Sequence, residues 1–200
     1  LSLHDALPIC GQVTDGAAAV VLASERFAAQ WTARHGRSLE SIPRIAGWGH
    51  RTAHLKLDVK LQASAQQPYV FPHVRDTIQD AFRRAGIQDV FALDGIETHD
   101  CFTTTEYMAI DHFGITPPGQ SWQAIEDGTI AMGGRLPINA SGGLIGLGHP
   151  VGATGVRMLL DAARQVSGQA GDCQIEGARR CATLNIGGSA TTVVSFVVER

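Results

Sequence analysis

The 200-residue chain is 44% hydrophobic and 18% charged, with a formal net charge of -3, which suits a soluble globular core and argues against a disordered chain. No basic run attracts a nucleic-acid backbone, and no apolar run is long enough to span a bilayer. The four cysteines, Cys10, Cys101, Cys173 and Cys181, include no C-x-x-C pair, so metal ligation lacks spacing support and reduced thiols in a cytoplasmic protein are expected.

Residues 1–9, Leu-Ser-Leu-His-Asp-Ala-Leu-Pro-Ile, read as the translation of a common sequencing adapter. They are set aside from fold reasoning as a tag would be, and native sequence is expected to start at or near Cys10. After the Asp15-Gly16 turn signal, the apolar run Ala17 to Ala23 reads as a buried strand. Ser24 then reads as the N-cap of a helix over Glu25 to Arg34, with Phe27 and Trp31 on one face and Gly36 as its stop.

Ile42 to Trp48 predicts a strand interrupted by Gly47 and Gly49. Val59 to Gln67 is weakly patterned and reads as a loop. Pro68 to Ala85 is the clearest helix, with Val70, Val74, Ile78, Ala81, Phe82 and Ala85 in helical period and Gly86 at its end. Val90 to Ile96 reads as a short strand, and Thr103 to Phe113 as an amphipathic helix with Tyr107, Ile110 and Phe113 inward. Gly114 to Pro150 forms a long loop, which at that length points to function or disorder. A helix over Gly152 to Val166 and two strands, Ala182 to Ile186 and Thr191 to Val198, complete an α/β layered domain with a sheet covered by helices.

Three segments carry candidate chemistry, each where an element ends. Glu97-Thr98-His99-Asp100-Cys101-Phe102 follows a strand, so His99 and Cys101 are placed to line a crevice as groups able to move protons near neutral pH. A buried cysteine beside a capping aspartate is the plainer reading of the same residues. The second segment runs from Asn139 to Gly155 and holds six glycines. They let the backbone approach a ligand, while Pro150 at a helix start sets His149 beside a helix N-terminus that favours anions. Tight turns and a capping histidine are the alternative. The third is Asn185-Ile186-Gly187-Gly188-Ser189, where the Gly187 N–H is a candidate donor to an oxyanion and a glycine hairpin is the alternative.

In order and content these segments resemble the C-terminal half of the thiolase family: an Asp-Gly-Ala-Ala-Ala stretch, a four-residue site motif, Gly148-His149-Pro150, then a late glycine turn. The resemblance implies a thiolase-fold C-terminal domain over residues 37–200, a mixed sheet covered by helices, preceded by the end of the first domain over 10–36. It implies Claisen condensation of acetyl-CoA or thiolysis of 3-oxoacyl-CoA in lipid metabolism such as fatty-acid β-oxidation. Coenzyme A thioesters would be the substrates, no cofactor or metal is required, and the complete protein would be a homodimer or homotetramer. His149 matches the Gly-His-Pro histidine that activates the nucleophile and helps hold the thioester oxygen.

Two positions depart from the usual pattern. His99-Asp100-Cys101-Phe102 stands in place of Asn-Glu-Ala-Phe, and Asn185-Ile186-Gly187 in place of Cys-x-Gly. One thiol is lost late and one appears early, which resembles the sterol-carrier-protein type of thiolase. The resemblance then makes Cys101 the acid/base at the substrate α-carbon. His99 and His149 flank one oxyanion, the Gly187 N–H faces another, and Asn139, Gly142 and Gly143 form a substrate loop. No residue here is a candidate nucleophile, so the chain as it stands is expected to be inactive alone, with Ala17 to Ala23 an orphaned apolar segment. Condensing enzymes acting on carrier-protein thioesters are a competing resemblance, weakened by Cys101. A non-catalytic acyl-CoA- or lipid-binding or scaffold protein is the other alternative.

Overall fold

Ser24 caps the first helix as its side chain requires, accepting the Phe27 N–H at 3.3 Å. The computed structural model describes residues 9–200. The expectation about the first nine residues therefore falls, Ile9 apart, outside the described residues. Helix α1 spans Glu25–Arg34, as expected, but Phe27 and Trp31 face outward. The run Ala17 to Ala23 forms no strand, a correction with a simple cause: among the described residues nothing lies beside it to pair its N–H and C=O groups. Val21 is 94% exposed. Two isolated bridges, Cys10 to Phe102 and Val13 to His149, tie the preceding residues to the body.

Strand β1 spans Arg44–Thr52 and runs through Gly47 and Gly49, which do not interrupt it. Their role is close approach: a Cβ on Gly47 would lie 2.0 Å from the Ala81 carbonyl oxygen, and one on Gly49 would lie 1.9 Å from that of Thr77. Both carbonyls belong to helix α3, Pro72–Arg84. This helix begins four residues later than its apolar period suggests. Proline at its first position holds Phe71 outside the helical region, at φ -129° and ψ 83°, and Val70 stays exposed. Val74, Ile78, Ala81 and Phe82 are buried as expected.

The segment read as a loop over Val59 to Gln67 instead contains most of helix α2, Leu57–Ser64. Its apolar pattern is weak because it buries Lys60 and Ser64 while Leu57 and Leu61 stay exposed. The strand expected over Val90 to Ile96 divides. Val90–Ala92 form a 3-10 turn capped by Asp89, and β2 spans only Gly95–Thr98. Helix α4 spans Thr103–Phe113, with Ile110 and Phe113 buried but Tyr107 exposed. The long glycine-rich stretch is ordered. It contains α5, Ser121–Glu126, and α6, Gly143–Leu147, and it buries Leu136 and Ile138. Asn139 N–H donates to the Ile96 carbonyl at 2.8 Å, laying this stretch along the edge of β2.

Helix α7 spans Thr154–Ser167, and the hairpin strands are β3, Arg180–Gly187, and β4, Thr192–Glu199. The sheet order is β1-β4-β3-β2. β4 is antiparallel to both β1 and β3, and β2 is parallel to β3. Helix α3 covers one face and α7 the other. The larger core joins Val74, Ile78 and Phe82 of α3 with Ile110 and Phe113 of α4 and Leu184, Val193 and Val197 of the sheet. This is the mixed α/β fold that the sequence implies.

Candidate active site

Strand β2 is buried at all four positions, and the chain leaves its C-terminal end as His99, Asp100 and Cys101. The His99 N–H continues the ladder to the Leu184 carbonyl at 2.9 Å, so the imidazole is delivered at the sheet edge rather than on a free loop. His149 arrives from the glycine-rich stretch, and its ring centroid lies 5.0 Å from that of His99 in an edge-on arrangement. Gly187 arrives as the last residue of β3. These segments meet at a cavity of about 790 Å³ lined by His99, Cys101, His149, Asn185 and Gly187. Phe71, Met108 and Ile186 give it an apolar wall. A depression of about 800 Å³ elsewhere, bordered by Glu40, Gln165 and Arg200, holds none of the predicted residues.

Burial sets the protonation of the two imidazoles. It pushes His99 down to about 4, helped by repulsion from His149, so His99 is neutral at physiological pH. His149 is also moved down by burial; Asp100 opposes this and Arg157 adds to it. Thr154 Oγ1 lies 2.8 Å from His149 Nδ1 and donates to the Pro150 carbonyl at 3.2 Å. With its one proton so used, the hydroxyl accepts from Nδ1–H, and the lone pair of His149 sits on Nε2. Such an imidazole can take a proton at Nε2 and then present it to an oxyanion. Cys101 is half-buried, with its sulfur 3.7 Å from the Thr105 hydroxyl.

Asn139, Gly142 and Gly143 do not line the cavity. They stand behind it. Asn139 Oδ1 accepts the Thr98 N–H at 2.7 Å. Gly143, at φ +61°, lets Asp100 approach so closely that a Cβ there would lie 2.2 Å from Oδ2. Asp100 Oδ1 accepts the Leu144 N–H at 2.6 Å. Glu97, 3% exposed, accepts from Ser141 N–H at 3.1 Å and Ser141 Oγ at 2.6 Å. Burial pushes Glu97 up to about 7. Arg157 joins this group, 3.4 Å from Ser141 Oγ and paired with Asp161 at 2.8 Å.

Glu97, Ser141, Thr154 and Arg157 are thus supporting residues that pattern reading did not single out. The available signal was a carboxylate directly after Ile96 in a short strand, and a hydroxyl five residues past His149. Among the described residues no group of three or more His, Cys, Asp or Glu is placed to hold a metal ion, and no helix is long and apolar enough to cross a membrane.

Comparison with known proteins agrees with this geometry. Residues 58–200 match the family model described as thiolase C-terminal domain-like. The chain is 31% identical over 194 residues to an acetyl-CoA acetyltransferase of Methanothermobacter thermautotrophicus, covering 96% of this chain and 46% of the relative. It is 30% identical over 192 residues to human sterol carrier protein 2, covering 94% and 33%. The chain therefore spans less than half the length of these curated relatives. Among solved structures, the Ltp2-ChsH2(DUF35) aldolase superposes with a TM-score of 0.65 at 19% identity, covering 78% of this chain and 39% of that one, which is a likeness of fold. Two separate lines, the family match across most of the chain and the convergence of its motif residues on one cavity, lead to the same assignment: the chain belongs to the thiolase family, in its C-terminal domain.

Proposed function

We propose that this chain supplies the acid/base half of a thiolase-type active site acting on acyl-CoA thioesters, by Claisen condensation of acetyl-CoA or thiolysis of 3-oxoacyl-CoA. The observation that carries the reading is the meeting of His99, Cys101, His149 and Gly187, from three distant segments, at one apolar-walled cavity. The nucleophilic cysteine is assigned to sequence corresponding to the part of the relatives that this chain does not span. In condensation, His149 Nε2 takes the proton of that thiol, the resulting thiolate attacks the first acetyl-CoA, and the Cys101 thiol gives its proton to the departing coenzyme A thiolate. The Cys101 thiolate takes the α-proton of the second acetyl-CoA, and the enolate oxygen so formed lies between His99 and His149. Attack of the enolate carbon on the acyl thioester puts negative charge on the second oxygen, facing the Gly187 N–H, and loss of the cysteine thiolate, which regains its proton from His149, gives acetoacetyl-CoA. Thiolysis is the reverse.

The test is thiolysis of acetoacetyl-CoA by the complete gene product and its Cys101→Ser variant. A loss of about 100-fold or more is expected, the scale of one general acid/base, with folding intact by circular dichroism. Near-normal turnover removes Cys101 from the mechanism. Absence of turnover in the unaltered protein, with acyl-CoA or lipid still bound, favours a non-catalytic binding role, a reading to which the apolar wall and the sterol carrier relatives also lend support.

A further inference from the structure

The turn joining β3 to β4 has an unusual backbone. Gly188, Ser189 and Ala190 have φ of +58°, +53° and +63° in succession. Glycine adopts such angles freely, but serine and alanine do not. Two adjacent non-glycine residues in this region persist only where their surroundings hold them, and such segments concentrate at functional sites. This turn is also part of the cavity wall, which Gly187, Gly188, Ser189 and Ala190 all line.

What holds it comes from two helices. Lys60 of α2, only 5% exposed, donates from Nζ to the Ser189 carbonyl at 2.5 Å and to Thr191 Oγ1 at 3.0 Å. His73 of α3 donates from Nε2 to the Ala190 carbonyl at 2.7 Å. A buried ammonium is costly unless its protons are used, and no carboxylate pairs with Lys60 among the described residues. Its described partners are this turn alone. The same helix contributes Leu57 to the cavity wall, so α2 both lines the cavity and fixes its neighbouring turn.

We propose that Lys60 is a positioning residue for the oxyanion side of the cavity: its ammonium, buried against the Ser189 carbonyl and the Thr191 hydroxyl, locks the Gly187–Ala190 turn in the one shape that presents the Gly187 N–H to the substrate oxygen. The role of Gly187 rests on the function proposed above, whereas the clamp on the turn does not. Lys60 touches no reacting atom and acts only through the backbone it holds.

Two readouts keep those parts separate. In this chain labelled with ¹⁵N-glycine, Lys60→Met should shift or broaden the Gly187 and Gly188 amide signals and leave Gly36, Gly86 and Gly168 unmoved. In the complete gene product, the same change should lower kcat for acetoacetyl-CoA thiolysis about 10- to 100-fold, the scale of a displacement of roughly 1 Å in a catalytic group. KM should stay within about twofold, since uniform binding is untouched. Unmoved Gly187 and Gly188 signals, or an unchanged kcat, would overturn the proposal. Should Lys60→Met disturb every glycine signal, Lys60→Gln decides: it keeps a donor on a shorter chain and should move the turn signals alone, and it counts against the clamp if they stay in place. No thiolysis by the unaltered protein sinks the functional reading and leaves the amide signals to judge the clamp.

Discussion

Gly49→Ala tests the closest backbone contact in the fold. A Cβ at this position would lie 1.9 Å from the Thr77 carbonyl oxygen and 3.2 Å from the Asp80 Cβ, while one at Gly47 would lie 2.0 Å from the Ala81 carbonyl oxygen. Ordinary contact at a Cβ begins at about 3.4 Å, so the helix or the strand must retreat by roughly 1.5 Å. The obstacle is backbone within a helix turn and cannot rotate aside as a side chain does. Overpacking of this kind costs about 1–3 kcal/mol, and a rigid obstacle puts Gly49→Ala near about 3 kcal/mol. With a urea dependence of about 1–3 kcal/mol per molar for a domain of this size, the unfolding midpoint should fall by roughly 1 M or more. Gly152→Ala is the control: its Cβ would meet nothing within 4 Å, and the midpoint should barely move. Urea unfolding followed by far-ultraviolet circular dichroism measures both. A Gly49→Ala midpoint as high as that of Gly152→Ala would refute the packing of α3 onto β1.

Two further outcomes are expected at the site. Thr154→Val keeps the shape of the side chain but removes the acceptor of the His149 Nδ1–H; losing one such bond, about 1 kcal/mol, should lower kcat/KM for thiolysis roughly fivefold with the melting temperature little changed. Glu97 is raised from 4.5 to about 7 in the folded chain, so the folded state binds its proton more tightly than the unfolded state does. That contribution is full below about pH 4.5 and is lost as pH rises through about 7, an amount on the order of 3 kcal/mol. Glu97→Gln should therefore flatten the fall in urea midpoint between pH 5 and pH 8, and an unaltered pH dependence would count against a protonated Glu97.

How far the sequence reveals the fold depends on what fixes each element. Helices α1 and α4 match their expected bounds because local signals, Ser24 before one and Gly114 after the other, set their ends. Helix α2 escaped because a buried lysine, not an apolar stripe, fastens it, and Lys60 reaches a partner 129 residues away. Gly47 and Gly49 look like breaks in a strand when read along the chain; only the helix lying across them gives them meaning. The site divides in the same way. His99, Cys101 and His149 lie in compact motifs at the ends of elements, so their neighbours in sequence advertise them. Glu97 and Ser141 are 44 residues apart, and their pairing exists only once β2 and the glycine-rich stretch lie side by side.

Burial acts on the acids and the bases of this site in one direction. It pushes His99 down to about 4 and lowers His149, so both imidazoles favour the neutral form. It pushes Glu97 and Glu106 up to about 7, so a large share of both carboxyls is protonated near neutral pH. The two imidazoles that line the cavity are therefore largely uncharged before substrate enters. In the proposed reaction His149 gains a proton at Nε2 only when the nucleophile gives one up, so the enolate oxygen meets that imidazolium and the neutral His99, and the tetrahedral oxygen meets the Gly187 N–H, in a low-dielectric wall where a fixed hydrogen bond is stronger than in water. A fixed imidazolium beside His99 would bind any anion, including the carboxylates and phosphates of the wrong ligands. A proton that reaches His149 only in the course of the reaction favours the oxyanion formed there, which is the selectivity for transition state over ground state that the chemistry requires.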